Sequence, residues 1–303
     1  MNKCKKSDTK EIAKFVGLEY KGDNILIDNV SSSINVKKGT LFFTFDNFFK
    51  SDKEALVICK ENAVIESTSL SVIRHSNPRF IFAKITTEYL FIKQDHYVHE
   101  FAIIDPHAQI SEKVGVGPFT IIESGVKIGK NSVIGSNVTI KSGTQIGDNT
   151  VIKSGVTIGD QGFGFAFSID GEPKRINHSG GVIIGDHVEV GSNNVICSGT
   201  IEPTTIENHV KLDDLVFIAH NCHIGSMTMI ASGAVLCGSV SVGEKSWIGP
   251  NSTIIDGKKV GIKVKIGLGA VITKDIPDGS KMMGFNALPL KKLAKVKKYF
   301  FKT

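Results

Sequence analysis

No apolar run in this 303-residue chain reaches the roughly 18 residues that a membrane-spanning helix needs. The first eight residues carry lysines with no apolar stretch behind them, which reads against a signal peptide. The five cysteines are odd in number and form no CxxC pair, which argues against a disulfide framework or a structural zinc site. A reducing cytoplasm is the simple expectation. Proline is scarce at 8 residues and tryptophan occurs once, whereas glycine reaches 31. The formal net charge of +6 suits an acidic ligand or partner, but falls well short of the density expected of a nucleic-acid binder. Charged residues at 22% and hydrophobic ones at 41% fit a folded chain rather than a disordered one.

Residues 1–101 are not repetitive and read as a small α/β domain. Lys10 to Val16 has the spacing of a short amphipathic helix, with Asp8 or Thr9 able to cap it. Asn24 to Val30, Leu41 to Phe45 and Ala55 to Cys59 read as strands, and Asn77-Pro78 marks a turn before a second helix.

From residue 102 to 285 the chain has a period of six. Ile104 starts ten aliphatic residues at six-residue steps, ending at Ile158. After an interruption at 159–181 the series resumes as Ile184, Val190 and Ile196. It slips by four residues and runs again from Ile206 to Ile272, giving 25 aliphatic sites in all. An α-helix does not hold this period on one face, and a plain strand has a period of two. One short strand plus a turn accounts for six residues, with the aliphatic side chain inward and the frequent following glycine easing the turn. Such units bury their apolar sites only by stacking into a solenoid.

The pattern resembles that of left-handed parallel β-helices of hexapeptide repeats. The resemblance implies triangular coils of three repeats, hence about eight coils, and residues 18 apart stacked on one face. The fold class is therefore mainly β. The glycine-rich insertion 159–181 leaves this scaffold as a long loop, a place where function concentrates. The tail, 286–303, reads as a short basic helix; from Leu290 onward it carries six lysines and no acid. It suits either a capping helix or contact with an acidic partner.

The leading candidate for chemistry is His220, two positions after the inward Ile218 and so at a corner, pointing outward. Histidine serves as a general base near neutrality because its ordinary pKa is about 6.5. One coil on lies Gly238, where the absence of a side chain lets substrate approach a backbone N–H able to stabilise an oxyanion.

The stretch Lys211-Leu212-Asp213-Asp214-Leu215-Val216-Phe217-Ile218-Ala219-His220-Asn221 resembles the active-site segment of the UDP-3-O-acylglucosamine N-acyltransferases of lipid A biosynthesis. Gly39 to Phe49 resembles that family's uridine-binding segment, and Gly162-Phe163-Gly164-Phe165 its Gly-Phe-Gly-Tyr loop. The resemblance implies transfer of a 3-hydroxyacyl group from acyl carrier protein to the amino group of a UDP-amino sugar. His220 then matches the general base and Gly238 the oxyanion donor. Phe43 and Phe49 match an aromatic pair around the base, which would make residues 1–101 the uridine-binding domain. Asp213 matches a carboxylate near the histidine that orients it or contacts substrate. Asn221 and, from the inserted loop, His178 are further expected substrate contacts. The resemblance also implies a homotrimer with sites in clefts between subunits. It implies no metal and no cofactor beyond the thioester co-substrate.

The chain departs from the family pattern at Cys197-Ser198-Gly199, where Asp-Arg-Gly is usual, and at Ile255-Asp256-Gly257-Lys258, which lacks a second histidine. The tail is also short. A paralogue that acylates another UDP- or dTDP-amino sugar for surface polysaccharide, using acyl-CoA, fits the same residues. His223 and the cysteines read as structural, and a non-catalytic solenoid leaves the aromatic segment and inserted loop unexplained.

Overall fold

A computed structural model describes residues 6–90, 96–284 and 292. The expected basic tail lies outside the described residues apart from Lys292. The chain forms two compact units, residues 1–94 and 95–303. The sequence reading put residues 95–101 with the first unit. The backbone of Tyr97, His99 and Phe101 instead bonds to Val116 and Phe119 of the first coil.

The first unit is built on a five-stranded sheet. Its strand order is Tyr20–Lys21, Leu70–Arg74, Ala55–Cys59, Thr40–Phe43, Asn29–Val30. Helix α1 (Thr9–Val16) starts where the Asp8 side chain accepts the Glu11 N–H at 2.8 Å. It ends at Gly17, whose φ of 69° suits glycine. Helix α2 (Pro78–Ile85) follows Asn77, which caps the Phe80 N–H at 3.2 Å. Alternation along the strands separates two cores. Leu41, Leu56 and Ile58 face the helices, where Ile12, Ile81 and Ile85 cover them. Phe42, Val57 and Val72 form the other core, on which Phe49 and Ile65 pack.

The second unit is a parallel β-helix with three faces of nine, eight and nine strands. Face 1 begins at Ile103–Ile104, face 2 at Gln109–Ile110 and face 3 at Gly115–Val116. The register is 18 residues from coil to coil, as in Ile104 beside Ile122 and Phe217 beside Val235. Twenty-three of the 25 periodic aliphatics are buried in one continuous core, and Ile104 and Ile110 pack against it half-buried.

The insertion lengthens one register step to 38 residues, as in Gln145 over Ile183, without disturbing the stack. It carries an antiparallel hairpin of Phe165–Phe167 and Pro173–Arg175. The later four-residue slip lengthens the step from Val195 to Phe217 to 22.

The structure corrects the expected role of the glycine after each aliphatic residue. The left-handed turn residue comes three positions after the aliphatic one, as at Asn131 (φ 57°), Asn221 (φ 57°) and even Leu215 (φ 61°). The glycine directly after the aliphatic instead allows close stacking of coils. A Cβ on Gly147 would lie 2.6 Å from the backbone carbon of Gly185. The position two before the aliphatic is also buried and takes small residues. There Thr120 and Ser132 donate hydroxyl bonds to the Gly135 and Gly147 carbonyls at 2.7 and 2.8 Å. These bonds satisfy polar groups inside the coil stack.

Candidate active site

His220 and Gly238 stand at the corner between faces 1 and 2, on adjacent coils, each two residues past a face 1 strand. A Cβ on Gly238 would lie 2.6 Å from His220 Cε1, 2.8 Å from Nε2 and 3.1 Å from Asp256 Oδ1. The glycine therefore leaves room beside the ring nitrogen, and the Asp256 carboxylate sits one coil further on. At some equivalent positions on other coils a side chain from the next coil accepts the backbone N–H. Asp148 accepts that of Lys130 at 2.9 Å, and Asp214 that of Ser192 at 2.7 Å. Among the described residues the Gly238 N–H has no such partner and is available to a ligand.

The hydrogen-bond network fixes the tautomer of His220. Its Nδ1 lies 3.0 Å from Asn221 Oδ1. That atom is the amide oxygen, because it also receives the Thr200 backbone N–H at 3.3 Å and the Thr200 hydroxyl at 2.8 Å. The Asn221 NH2 donates to the Glu202 carbonyl at 3.3 Å. Nδ1 must then donate its proton to Asn221, which leaves the lone pair on Nε2, beside Gly238. This arrangement suits a general base.

The inserted hairpin closes over the histidine. The rings of His178 and His220 are 4.9 Å apart, centroid to centroid, at 57°. Gly162 touches both; a Cβ there would come within 2.8 Å of His220 Cδ2 and 3.0 Å of His178 Nε2. The Gln161 side chain accepts the His178 N–H at 2.7 Å and donates to the His178 carbonyl at 2.9 Å. Arg175 donates to the Gly162 carbonyl at 3.1 Å and lies over the Phe165 ring. His178 is only 4% exposed, and neither of its ring nitrogens has a hydrogen-bond partner among the described residues. Burial first, then the neighbouring His220, hold its pKa below the ordinary histidine value; the Ile176 carbonyl opposes this without reaching hydrogen-bond geometry.

Other expected site residues go elsewhere. Asp213 follows a face 3 strand and stands at the corner between faces 3 and 1. Its carboxylate accepts the Ser232 N–H at 3.2 Å and has no contact with His220 within the chain. It lines a 390 Å³ groove with Lys153, Lys211, Met229 and Trp247. The Asn221 side chain is engaged with His220, Thr200 and Glu202. Phe43 and Phe49 do not form a ring pair. Phe43 packs on Phe82 and Phe45, and Phe49 packs on Phe42 in the other core. Phe43 lies on the five-stranded sheet facing the helices, whereas Phe49 lies on a separate two-stranded sheet, Phe48–Lys50 with Val64–Glu66, that packs on the opposite core, a division that the spacing of aromatics did not convey. His223 pairs with Glu207 at 2.9 Å on face 2.

Gln161, Gly162, Thr200 and Asp256 were missed as site residues. The coil offset of 18 from Gly238 would have found Asp256. The other three depend on how the insertion and the slip fold back. Burial pushes the Cys197 thiol up to about 11 and Cys222 to about 12, so neither is a nucleophile near neutral pH.

The stacked hexapeptide coils and the relatives named below make the chain a left-handed β-helix acyltransferase of the hexapeptide-repeat class. The family of bacterial transferase hexapeptides (six repeats) matches residues 107–142 and 125–160, and the hexapeptide repeat of succinyl-transferase matches 239–274. The chain belongs to the UDP-3-O-acylglucosamine N-acyltransferase family. It is 40% identical to the enzyme of that name from Campylobacter curvus, across 94% of this chain and 95% of the relative. It is 38% identical to that of Campylobacter lari, across 93% of each. Among solved structures, UDP-N-acetylglucosamine acyltransferase from Francisella novicida superposes with a TM-score of 0.58 and 25% identity. That match covers 67% of this chain and 78% of the other.

Proposed function

We propose that the protein transfers a 3-hydroxyacyl group from a thioester, carried by acyl carrier protein, to the amino group of UDP-3-O-acylglucosamine in lipid A synthesis. The observation that carries the reaction type is the Nε2 lone pair of His220 beside the unbonded Gly238 N–H. The relatives' shared name, over nearly the whole chain, supports the substrate.

The amine attacks the thioester carbonyl directly. His220 Nε2 removes the amine proton as the C–N bond forms. The carbonyl oxygen gains negative charge and takes the Gly238 N–H. The tetrahedral intermediate then collapses, the C–S bond breaks, and the carrier leaves as a thiol with the proton from His220. Asn221 keeps the base in its working tautomer throughout, and Asp256 favours approach of the acceptor's ammonium form before it loses a proton. The step needs no covalent enzyme intermediate.

The working form in this proposal is a cytoplasmic homotrimer. Supporting it, the residue just before the inward aliphatic on each of the nine face 1 strands is uncharged, with Ile103, Ile121, Phe217 and Val271 exposed; the exposed Asp160, at the end of the strand Thr157–Asp160, is the one charge on these strands. Self-association would cover them. No described helix is long and apolar enough to cross a membrane.

The test is an acyl-transfer assay by mass spectrometry with UDP-3-O-acylglucosamine and 3-hydroxyacyl carrier protein. His220→Ala should lower turnover by about 10³-fold or more while the fold stays intact. Turnover only with another amino sugar or with acyl-CoA would replace the substrate assignment. Equal turnover by the variant would remove His220 from the mechanism.

A further inference from the structure

We propose that His178 reads a hydroxyl group beside the reacting centre, and that the inserted hairpin shifts off His220 to present it. The inference rests on the reading of His220 as base and names a specificity residue for that site. Three observations lead to it. A buried polar atom without a partner is destabilising, and His178 holds two such nitrogens against His220. The described hydrogen bonds of residues 162–178 run within the insertion: the hairpin ladder, the Gln161–His178 pair and the Arg175–Gly162 bond. The hairpin can therefore move as a unit. Its roots are tied to the coil, where Ser198 donates to the Asp160 carbonyl at 2.9 Å and Ser179 to the Thr200 carbonyl at 3.0 Å.

The chemistry of the ring selects the ligand. Burial, His220 and Arg175 all disfavour its protonation. A neutral imidazole offers one donor and one acceptor. That matches a hydroxyl, which gives and takes a hydrogen bond, better than a phosphate, which calls for a charged donor. The hydroxyl comes either from the acyl chain or from the acceptor sugar.

The experiment has one arm for each source. Turnover is compared for 3-hydroxyacyl against plain acyl carrier protein, and for the amino-sugar acceptor against its deoxy analogues. The wild-type protein should favour one hydroxylated partner by about 10- to 100-fold in kcat/KM. His178→Phe, which keeps the ring's bulk, should bring that ratio close to one. His178→Gln, which keeps a donor and an acceptor, should restore much of it. The arm whose ratio collapses identifies the source. Unchanged ratios in both arms, or a Gln variant as indifferent as the Phe variant, would overturn the proposal. Calorimetry with unreactive amide analogues of the hydroxylated and plain donors, and with the acceptors alone, reports the same preference without turnover. If His220→Ala proves harmless, the base assignment falls while these binding ratios still decide the role of His178.

Discussion

Gly238→Ala is the sharpest probe of the corner geometry. The glycine's φ is not left-handed, so the backbone accepts alanine there. The new methyl would stand 2.6 Å from His220 Cε1 and 2.8 Å from Nε2. Ordinary carbon contacts begin near about 3.5 Å, so the ring must retreat by about 0.8 Å. The closed hairpin resists this, because Gly162 and His178 already press on the ring from the other side. A displacement of about 1 Å at a reacting group costs on the order of 10²-fold in rate. We therefore expect kcat to fall about 10²-fold. The stack itself should hold, since the clash falls on a half-exposed side chain rather than on the backbone of a neighbouring coil. Steady-state acyl transfer, read beside the thermal midpoint and far-UV circular dichroism, measures both. Wild-type kcat in a folded Gly238→Ala protein would refute the placement of the reaction at this corner.

Asn221→Leu removes the acceptor that fixes the Nδ1–H tautomer of His220; turnover should fall by about 10²-fold or more, and nitrogen NMR of the ring should show the two tautomers mixing. The Glu123 carboxyl is held below its ordinary pKa, first by the Lys141 ammonium at 2.7 Å and also by the Ser142 N–H at 3.1 Å. A lowered folded pKa means the stabilisation is complete above the unfolded value of about 4.3 and is lost as pH falls through the folded value. The stability gap between wild type and Glu123→Gln, from urea melts, should therefore close between about pH 5 and pH 3. Cys197 and Cys222, with thiols raised to about 11 and about 12, should stay unlabelled by iodoacetamide at pH 8 in the native protein and label once it is denatured, as peptide mapping would show.

The sequence by itself determined the β-helix. A period of six repeated over 25 sites is a local rule, and each aliphatic residue needs only its own coil and the next to be buried. The same arithmetic stacks Gly238 over His220, and both helices of the first unit were legible from their caps. Tertiary structure alone decided the rest. Asp213 and His220 are seven residues apart, yet the triangular coil sends them to different corners. Phe43 and Phe49 share a short segment, yet the chain carries them onto two different sheets that pack on two different cores. The hairpin has no periodicity to read, and only its return to the coil brings His178 onto His220. Glycine after the aliphatic residue was visible in the sequence, but its cause was not. The close neighbour it serves, such as Gly185 above Gly147, is 38 residues away along the chain and adjacent only in the stack.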